Sequence, residues 1–204
     1  STNVLLEKIL VERLEAINKF EYRGQHYRFS QSNVQAAIRA LKNTTDSTLL
    51  GSNEKIYDLL TLGKSFKEVV QSDEKAFSFK YIDWENPKNN HYHVTDEFVV
   101  EGLKGERRVD IVLFVNGIPF VTIENKRRDK EESTQEGIQQ TIRNQRKQEG
   151  IPRLFEFAQL LIAAQPNEVK YAVTGTEAKF WSVWKEDNES LVKRILKKNL
   201  PGLA

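Results

Sequence analysis

A chain of 204 residues, 39% hydrophobic and 29% charged, has material for one generous globular domain or a domain with a small helical appendage. The absence of cysteine excludes disulfides, thiolate-bound zinc and thiol catalysis. No apolar run approaches the ~20 residues of a bilayer span, and no charged start followed by an apolar stretch suggests a signal peptide.

A formal net charge of +2 says little about partners. The sequence contains no methionine, so the expectation is a trimmed chain or a fragment of a longer one. Val4, Leu5, Ile9, Leu10, Leu14 and Ile17 recur at helical spacing and predict a first amphipathic helix. Ser32 is a candidate cap for a second, carrying Val34, Ala37, Ile38 and Leu41. Residues 43–52 read as a polar loop, and helical pattern resumes from about residue 53 to 70 with a break near Gly63. Residues 1–72 are thus expected to be a helical portion packed on a core formed by 73–204.

Character changes after Asp73. Phe77, Phe79 and Tyr81 alternate with Ser78 and Lys80 as in a strand, and Asn86-Pro87-Lys88-Asn89-Asn90 is a turn. A strand is expected over 92–101, a hairpin over 107–126, a polar helix over 134–148 and a helical turn over 154–157. Strands follow at 160–164, 169–173 and 180–184, then a basic amphipathic helix at 190–198. Helices followed by strands with one helix inserted predict an α/β or α+β fold, a mixed central sheet flanked by helices.

The hairpin carries the chemistry. Ile111, Val112, Leu113, Phe114 and Val115, then Phe120, Val121 and Ile123, are apolar on both strand faces, the pattern of central strands covered on each side. Into this setting fall Asp110, Glu124 and Lys126, and buried ionised groups are costly unless paired, hydrogen-bonded or metal-bound. Glu124 and Lys126 share a face by the period of two. Asp110 joins them only if one extra residue shifts the register. A plain two-residue Asn116-Gly117 turn sets Asp110 opposite Ile123, whereas a three-residue loop or a bulge at Gly117 sets it opposite Glu124.

Two converging carboxylates suit Mg²⁺ or Mn²⁺ and the hydrolysis of a phosphodiester, with the Lys126 ammonium beside them. A buried Asp-Lys-Glu ion pair without catalytic duty satisfies the same spacing. Arg127, Arg128 and Lys130 follow directly, with Arg143 further on. Beside such a site they are candidate contacts to a phosphate backbone, although charge runs alone more often mark a solvated surface.

Other features carry less. Gly63-Lys64-Ser65 lacks the glycine and the preceding strand of a phosphate loop. His91 and His93 suit a polar surface better than a metal. Glu7 is best read as a solvated helix residue, and Trp181 and Trp184 as packing residues. No nucleophile elbow supports serine hydrolase chemistry.

The hairpin resembles the PD-(D/E)xK nuclease core, and more narrowly the amino-terminal domain of the restriction (R) subunit of type I restriction enzymes. Further blocks carry the likeness: residues 81–87 (Tyr-Ile-Asp-Trp-Glu-Asn-Pro) with Asn89-Asn90, Asp96-Glu97-Phe98 and Arg107-Arg108. After the hairpin come residues 151–155 (Ile-Pro-Arg-Leu-Phe), Gln159-Leu160-Leu161 and Thr174-Gly175-Thr176 with Ala178-Lys179. The resemblance implies Asp110 and Glu124 as ligands of Mg²⁺ or Mn²⁺, assisted by the Asn125 carbonyl, with Lys126 as the catalytic lysine. It places Gln140 as the glutamine of a Gln-x-x-x-Tyr element, in which this chain has Asn144 for tyrosine; Val109 stands where proline precedes the aspartate.

It further implies double-stranded DNA as substrate and methyltransferase and specificity subunits as partners. The setting would be the cytoplasm of a bacterium or archaeon, with ATP dependence confined to motor domains of a longer subunit. Two alternatives stay open: a repair or recombination nuclease on the same core, and a nuclease-like module that binds DNA or partner subunits without cutting.

Overall fold

In the computed structural model, which describes residues 3–127 and 133–185, the expected α/β architecture is present. Helix α1 (Glu7–Ile17) leads into a small hairpin, β1 (Lys19–Tyr22) and β2 (Gln25–Arg28). Helices α2 (Gln31–Asn43) and α3 (Leu49–Leu62) come next, then a second hairpin, β3 (Lys64–Val70) and β4 (Asp73–Phe79). The remaining strands are β5 (Tyr92–Gly102), β6 (Gly105–Val115), β7 (Ile118–Asn125), β8 (Leu160–Gln165), β9 (Glu168–Ala172) and β10 (Ser182–Val183). Helices α4 (Ser133–Asn144) and α5 (Pro152–Phe157) connect β7 to β8.

These six strands form one sheet in the order β10-β9-β8-β7-β6-β5, antiparallel throughout except for the parallel pair β7–β8. Placing α4 and α5 in the β7–β8 connection is what makes that pair parallel, since parallel neighbours need a long crossover. Val112, Thr122, Leu161, Ala163 and Ala172 bury one sheet face against Ile138 of α4 and Leu154, Phe155 and Phe157 of α5. Burying each such large apolar side chain contributes about 1.5–3 kcal/mol. The stripes Leu10/Leu14, Val34/Ala37/Ile38/Leu41 and Ile56/Leu60 seat α1, α2 and α3 on the same core.

Several expectations change. Helix α2 is capped by Ser30, whose Oγ accepts from the Asn33 N–H, and not by Ser32. Residues 49–52 belong to α3, and the helical reading of residues 64–70 is overturned: this segment is β3. The hairpin β1–β2 was not anticipated. Helix α4 ends at Asn144, and of residues 180–184 only Ser182–Val183 is strand, behind a 3₁₀ turn at Ala178–Phe180. Strands β6 and β7 are central, yet Ile111, Leu113, Val121 and Ile123 are only partly buried, so the sheet is not covered equally on both sides. The helix expected at 190–198 lies outside the described residues. Among the described residues no helix is long and apolar enough to cross a membrane.

Candidate active site

The turn between β6 and β7 is a tight two-residue one. Asn116 and Gly117 both have positive φ, 53° and 82°, the geometry that suits a twisted hairpin and favours Asn-Gly. It is buried and clamped. The Asn116 side chain donates to the Tyr81 carbonyl and to Asn90 Oδ1 (both 2.9 Å) and accepts from the His91 N–H (2.8 Å). The Gly117 carbonyl accepts from the Leu6 N–H (2.9 Å). A Cβ at Gly117 would lie 2.7 Å from the Leu6 carbonyl oxygen, so glycine is required for both φ and space.

The extra residue that the site demands is therefore not in the turn. Val115 pairs with Ile118 and Phe114 with Pro119, but Leu113 pairs with Val121, leaving Phe120 as a bulge. Pro119 has no N–H to give the ladder, and the slip follows it directly. Beyond the bulge Ile111 faces Ile123, and one step further sets Asp110 level with Glu124. The expectation of an odd residue at Gly117 is corrected to Phe120; the consequence for the two carboxylates is the same.

Four of the candidate side chains come together. An Asp110 carboxylate oxygen accepts the Asn125 N–H at 2.8 Å. The neighbouring Glu124 carboxyl feels the Asp110 charge, which adds to burial in raising its pKa. Glu124 is only 2% exposed, and among the described residues its Oε2 has no hydrogen-bond partner. Lys126 Nζ stands 3.6 Å from that oxygen, close enough for charge attraction but too far for a hydrogen bond. Lys126 Nζ instead donates to Gln140 Oε1 at 2.7 Å, while the Lys126 N–H pairs with the Ala164 carbonyl at 2.8 Å and fixes the backbone. Burial first, and then the Asp110 carboxylate, push the Glu124 carboxyl up to about 8; Lys126 offsets only part of this.

Helix α4 reaches this cluster because Gly137 faces it. A Cβ there would sit 3.4 Å from Ala163 Cβ and 3.6 Å from both Glu124 Cβ and Lys126 Cγ. A glycine inside a helix is costly, and that is the sequence signal by which this contact was open to detection.

Arg127 is exposed where the chain leaves β7, and Arg128 and Lys130 lie outside the described residues. Arg143 lines a cleft of about 290 Å³ with Arg107, Arg108, Gln140, Asn144 and Glu149. Arg107 and Arg108 were not read as DNA-facing from sequence, although they stand three and two residues before Asp110. Asn144, where the resemblance would place a tyrosine, is buried at the end of α4, and its carbonyl accepts the Ile151 N–H at 2.7 Å.

The features set aside stay apart. Glu7 is engaged by Lys42 and Asn3. The His91 and His93 rings lie tilted against each other with centres 4.2 Å apart, and burial, then the neighbouring ring, lowers the His93 pKa. Among the described residues no group of three or more histidines and carboxylates gathers to hold a metal, so the pair Asp110/Glu124 is a two-carboxylate set.

Residues 1–189 match the family described as type I restriction enzyme R protein N terminus. The chain belongs to this family. It is 30% identical over 202 residues to a Methanocaldococcus jannaschii protein provisionally named type I restriction enzyme MjaVIIIP endonuclease subunit; the match covers 92% of this chain and 18% of that protein. A second M. jannaschii protein, provisionally the MjaIXP endonuclease subunit, is 28% identical over 156 residues, 74% of this chain and 15% of its own length. The type I restriction enzyme HindI endonuclease subunit of Haemophilus influenzae is 24% identical over 183 residues, 89% of this chain and 17% of that subunit. The chain thus spans less than a fifth of these relatives' length.

Proposed function

We propose that this R-protein amino-terminal segment is a divalent-metal-dependent nuclease module that hydrolyses DNA phosphodiester bonds during restriction. The observation that carries the reading is the Glu124 carboxyl: buried, beside a second carboxylate, with one oxygen unpartnered among the described residues. Such an arrangement is unfavourable in an empty protein and is relieved by a cation. Its donors are hard oxygens, which fit Mg²⁺ or Mn²⁺; Asp110 and Glu124 would hold the ion, with the Asn125 carbonyl as a further oxygen. Held by these residues, such a metal would supply an acidified water and a positive charge to offset that developing on the phosphate.

The chain's own groups do the rest. Lys126, oriented by Gln140, presents its ammonium toward the carboxylates, where it neutralises charge building on the phosphoryl oxygens or orients the attacking water. Arg127, Arg128, Lys130 and Arg143 engage flanking phosphates and give affinity without reading bases. We assign ATP dependence and contacts with methyltransferase and specificity subunits to the longer subunit, working in a bacterial or archaeal cytoplasm.

The test is cleavage of linear duplex by the reconstituted complex in Mg²⁺ or Mn²⁺. Asp110→Ala, Glu124→Ala and Lys126→Ala should each reduce the rate by about 10²–10³-fold or more while leaving DNA binding in place. Cleavage indifferent to Asp110→Ala would refute the assigned site. Asn144 in place of tyrosine favours a second reading, a module that binds without cutting, and a natural complex that holds DNA but never nicks it would establish that one. Preference for branched over linear duplex would instead point to a repair nuclease.

A further inference from the structure

Among the described residues, the non-glycine positions with positive φ are Arg23, Gln71, Ser72, Asn116 and Glu97. The first four lie in the turns of the hairpins β1–β2, β3–β4 and β6–β7, where left-handed backbone is ordinary. Glu97, at 49°, lies inside strand β5. A residue with a side chain pays for this conformation, which persists only where the surroundings over-determine it. The Glu97 side chain supplies no reason for it. That side chain is exposed, and its contact with the exposed Arg108, at 3.3 Å, is a surface ion pair of small value.

The reason lies across the ladder. Strands β5 and β6 keep one register from end to end, and it sets Glu97 opposite Asp110. Asp96 pairs with Ile111 and Phe98 with Val109, but Glu97 and Asp110 do not pair. On its other side β6 parts from β7 at the same level, after the pair Ile111 and Ile123. Asp110 is thus released from both neighbouring ladders, and its carboxylate accepts the Asn125 N–H at 2.8 Å. The inner face of the ribbon also changes parity here. Buried positions on β6 run Phe114, Val112 and then Val109, while inner positions on β5 pass from Thr95 to Phe98 and Val100. In an unbroken ladder Phe98 and Phe114 would lie on opposite faces. Their rings instead meet edge-on, with centres 5.4 Å apart.

We propose that Glu97 is a positioning residue for Asp110 and acts through its backbone. Its left-handed conformation opens the β5–β6 ladder opposite Asp110, and the freed strand turns the carboxylate onto the Asn125 N–H, beside Glu124. Irregularities of this kind re-aim side chains next to active sites. The inference rests on the reading of Asp110 and Glu124 as the pair that holds the cation.

Substitutions that differ in their tolerance of positive φ test this in the full 204-residue chain. Glu97→Gln removes the charge and keeps the backbone preference, so it separates the ion pair with Arg108 from the strain. Glu97→Asn accepts left-handed backbone more readily, whereas the β-branched side chain of Glu97→Val resists it. Hydrogen exchange at the Asn125 amide, followed by NMR in the presence of a chelator, reads the Asp110 contact without metal and without activity. The Asn116 amide, which donates to the His91 carbonyl at the other end of the hairpin, is the internal reference. Relative to that reference, exchange at Asn125 should match the natural chain in Glu97→Gln and be slower in Glu97→Asn. In Glu97→Val it should be about tenfold faster, as a left-handed penalty of the usual size implies. Mn²⁺ affinity, measured by electron paramagnetic resonance, should fall about tenfold in Glu97→Val and hold in the other two. Equal Asn125 exchange in all three variants overturns the proposal. If Glu97→Val does not fold, Glu97→Asn carries the test, and exchange no slower than in Glu97→Gln overturns it. A natural chain that binds no Mn²⁺ counts against the nuclease reading alone, since the order of exchange rates decides on Glu97 without metal.

Discussion

At Glu124 the proposed function sets two requirements against each other: a cation would need the carboxylate, while the surroundings resist its charge. The folded value of about 8 lies above the ordinary ~4.3, so between those values the metal-free folded chain keeps a proton that the unfolded chain has released. Stability of the metal-free chain accordingly falls as pH rises from ~4.3 through about 8. Glu124→Gln keeps the shape and removes the charge. In the presence of a chelator the variant is expected to be about 1–3 kcal/mol more stable than the natural chain at pH 8.5, where Glu124 is largely ionised. Near pH 5, where Glu124 is already neutral, the two should scarcely differ. Urea unfolding at the two pH values measures this, and a variant less stable at pH 8.5 would show that the carboxylate is satisfied by the protein alone. Loss of cleavage alongside gained stability would mark Glu124 as a group kept for function at the expense of the fold.

Among the elements, the β6–β7 hairpin and α4 decide whether the site exists, and they differ in how far sequence reveals them. Alternation placed Glu124 and Lys126 on one face, and Asn116-Gly117 marked the turn; both were legible because each depends on neighbours a few residues away. The bulge at Phe120 was not, since an extra phenylalanine in an apolar strand alters no pattern and Pro119 was the one local clue. Strand β3 was misread for a related reason. Its inward positions are Phe66, Glu68 and Val70, and the buried Glu68 breaks the apolar alternation. That carboxylate is satisfied by the Ser30 N–H (2.7 Å), Ser30 Oγ (2.9 Å) and Asn33 Nδ2 (2.8 Å), all from another part of the chain. The seating of α4 likewise depends on a contact that only the fold reveals. Gly137→Ala should be tolerated, because its Cβ meets only ordinary van der Waals neighbours, and helix propensity adds up to about 1 kcal/mol. Gly137→Val has no such room; it should lower stability by about 1–3 kcal/mol and separate Gln140 from Lys126. Thermal unfolding of the two variants, read beside their cleavage rates, tests that α4 is held by this close approach. A valine variant as active and as stable as the natural chain would sink it.

Across the whole molecule, charge is arranged by folding and not by composition. A net +2 gives no general attraction to a polyanion, yet β6 and α4 bring Arg107, Arg108 and Arg143 to one cleft lined also by Gln140, the residue that holds Lys126. These arginines come from segments more than thirty positions apart, which is why the charge clusters along the sequence did not reveal the cleft. Each is exposed, and a neighbouring acidic residue restrains two of them: Arg108 lies 3.3 Å from Glu97, and Arg107 donates to the Glu149 carbonyl at 3.2 Å. If the cleft takes the backbone beside the scissile phosphate, affinity should depend on salt in proportion to the phosphates it contacts. Each lost contact reduces the slope of log affinity against log salt by about 0.9. Arg107→Gln, Arg108→Gln and Arg143→Gln together should therefore flatten the slope by about 2–3 and weaken binding equally on unrelated duplexes. Asp110→Ala, measured in the same chelator-containing buffer, should leave the slope within error of the natural chain, because in the proposed function that residue would meet DNA only through the metal. A triple variant with an unaltered slope would move the DNA path away from this cleft while leaving the carboxylate pair untouched, since cleavage and salt dependence are read separately.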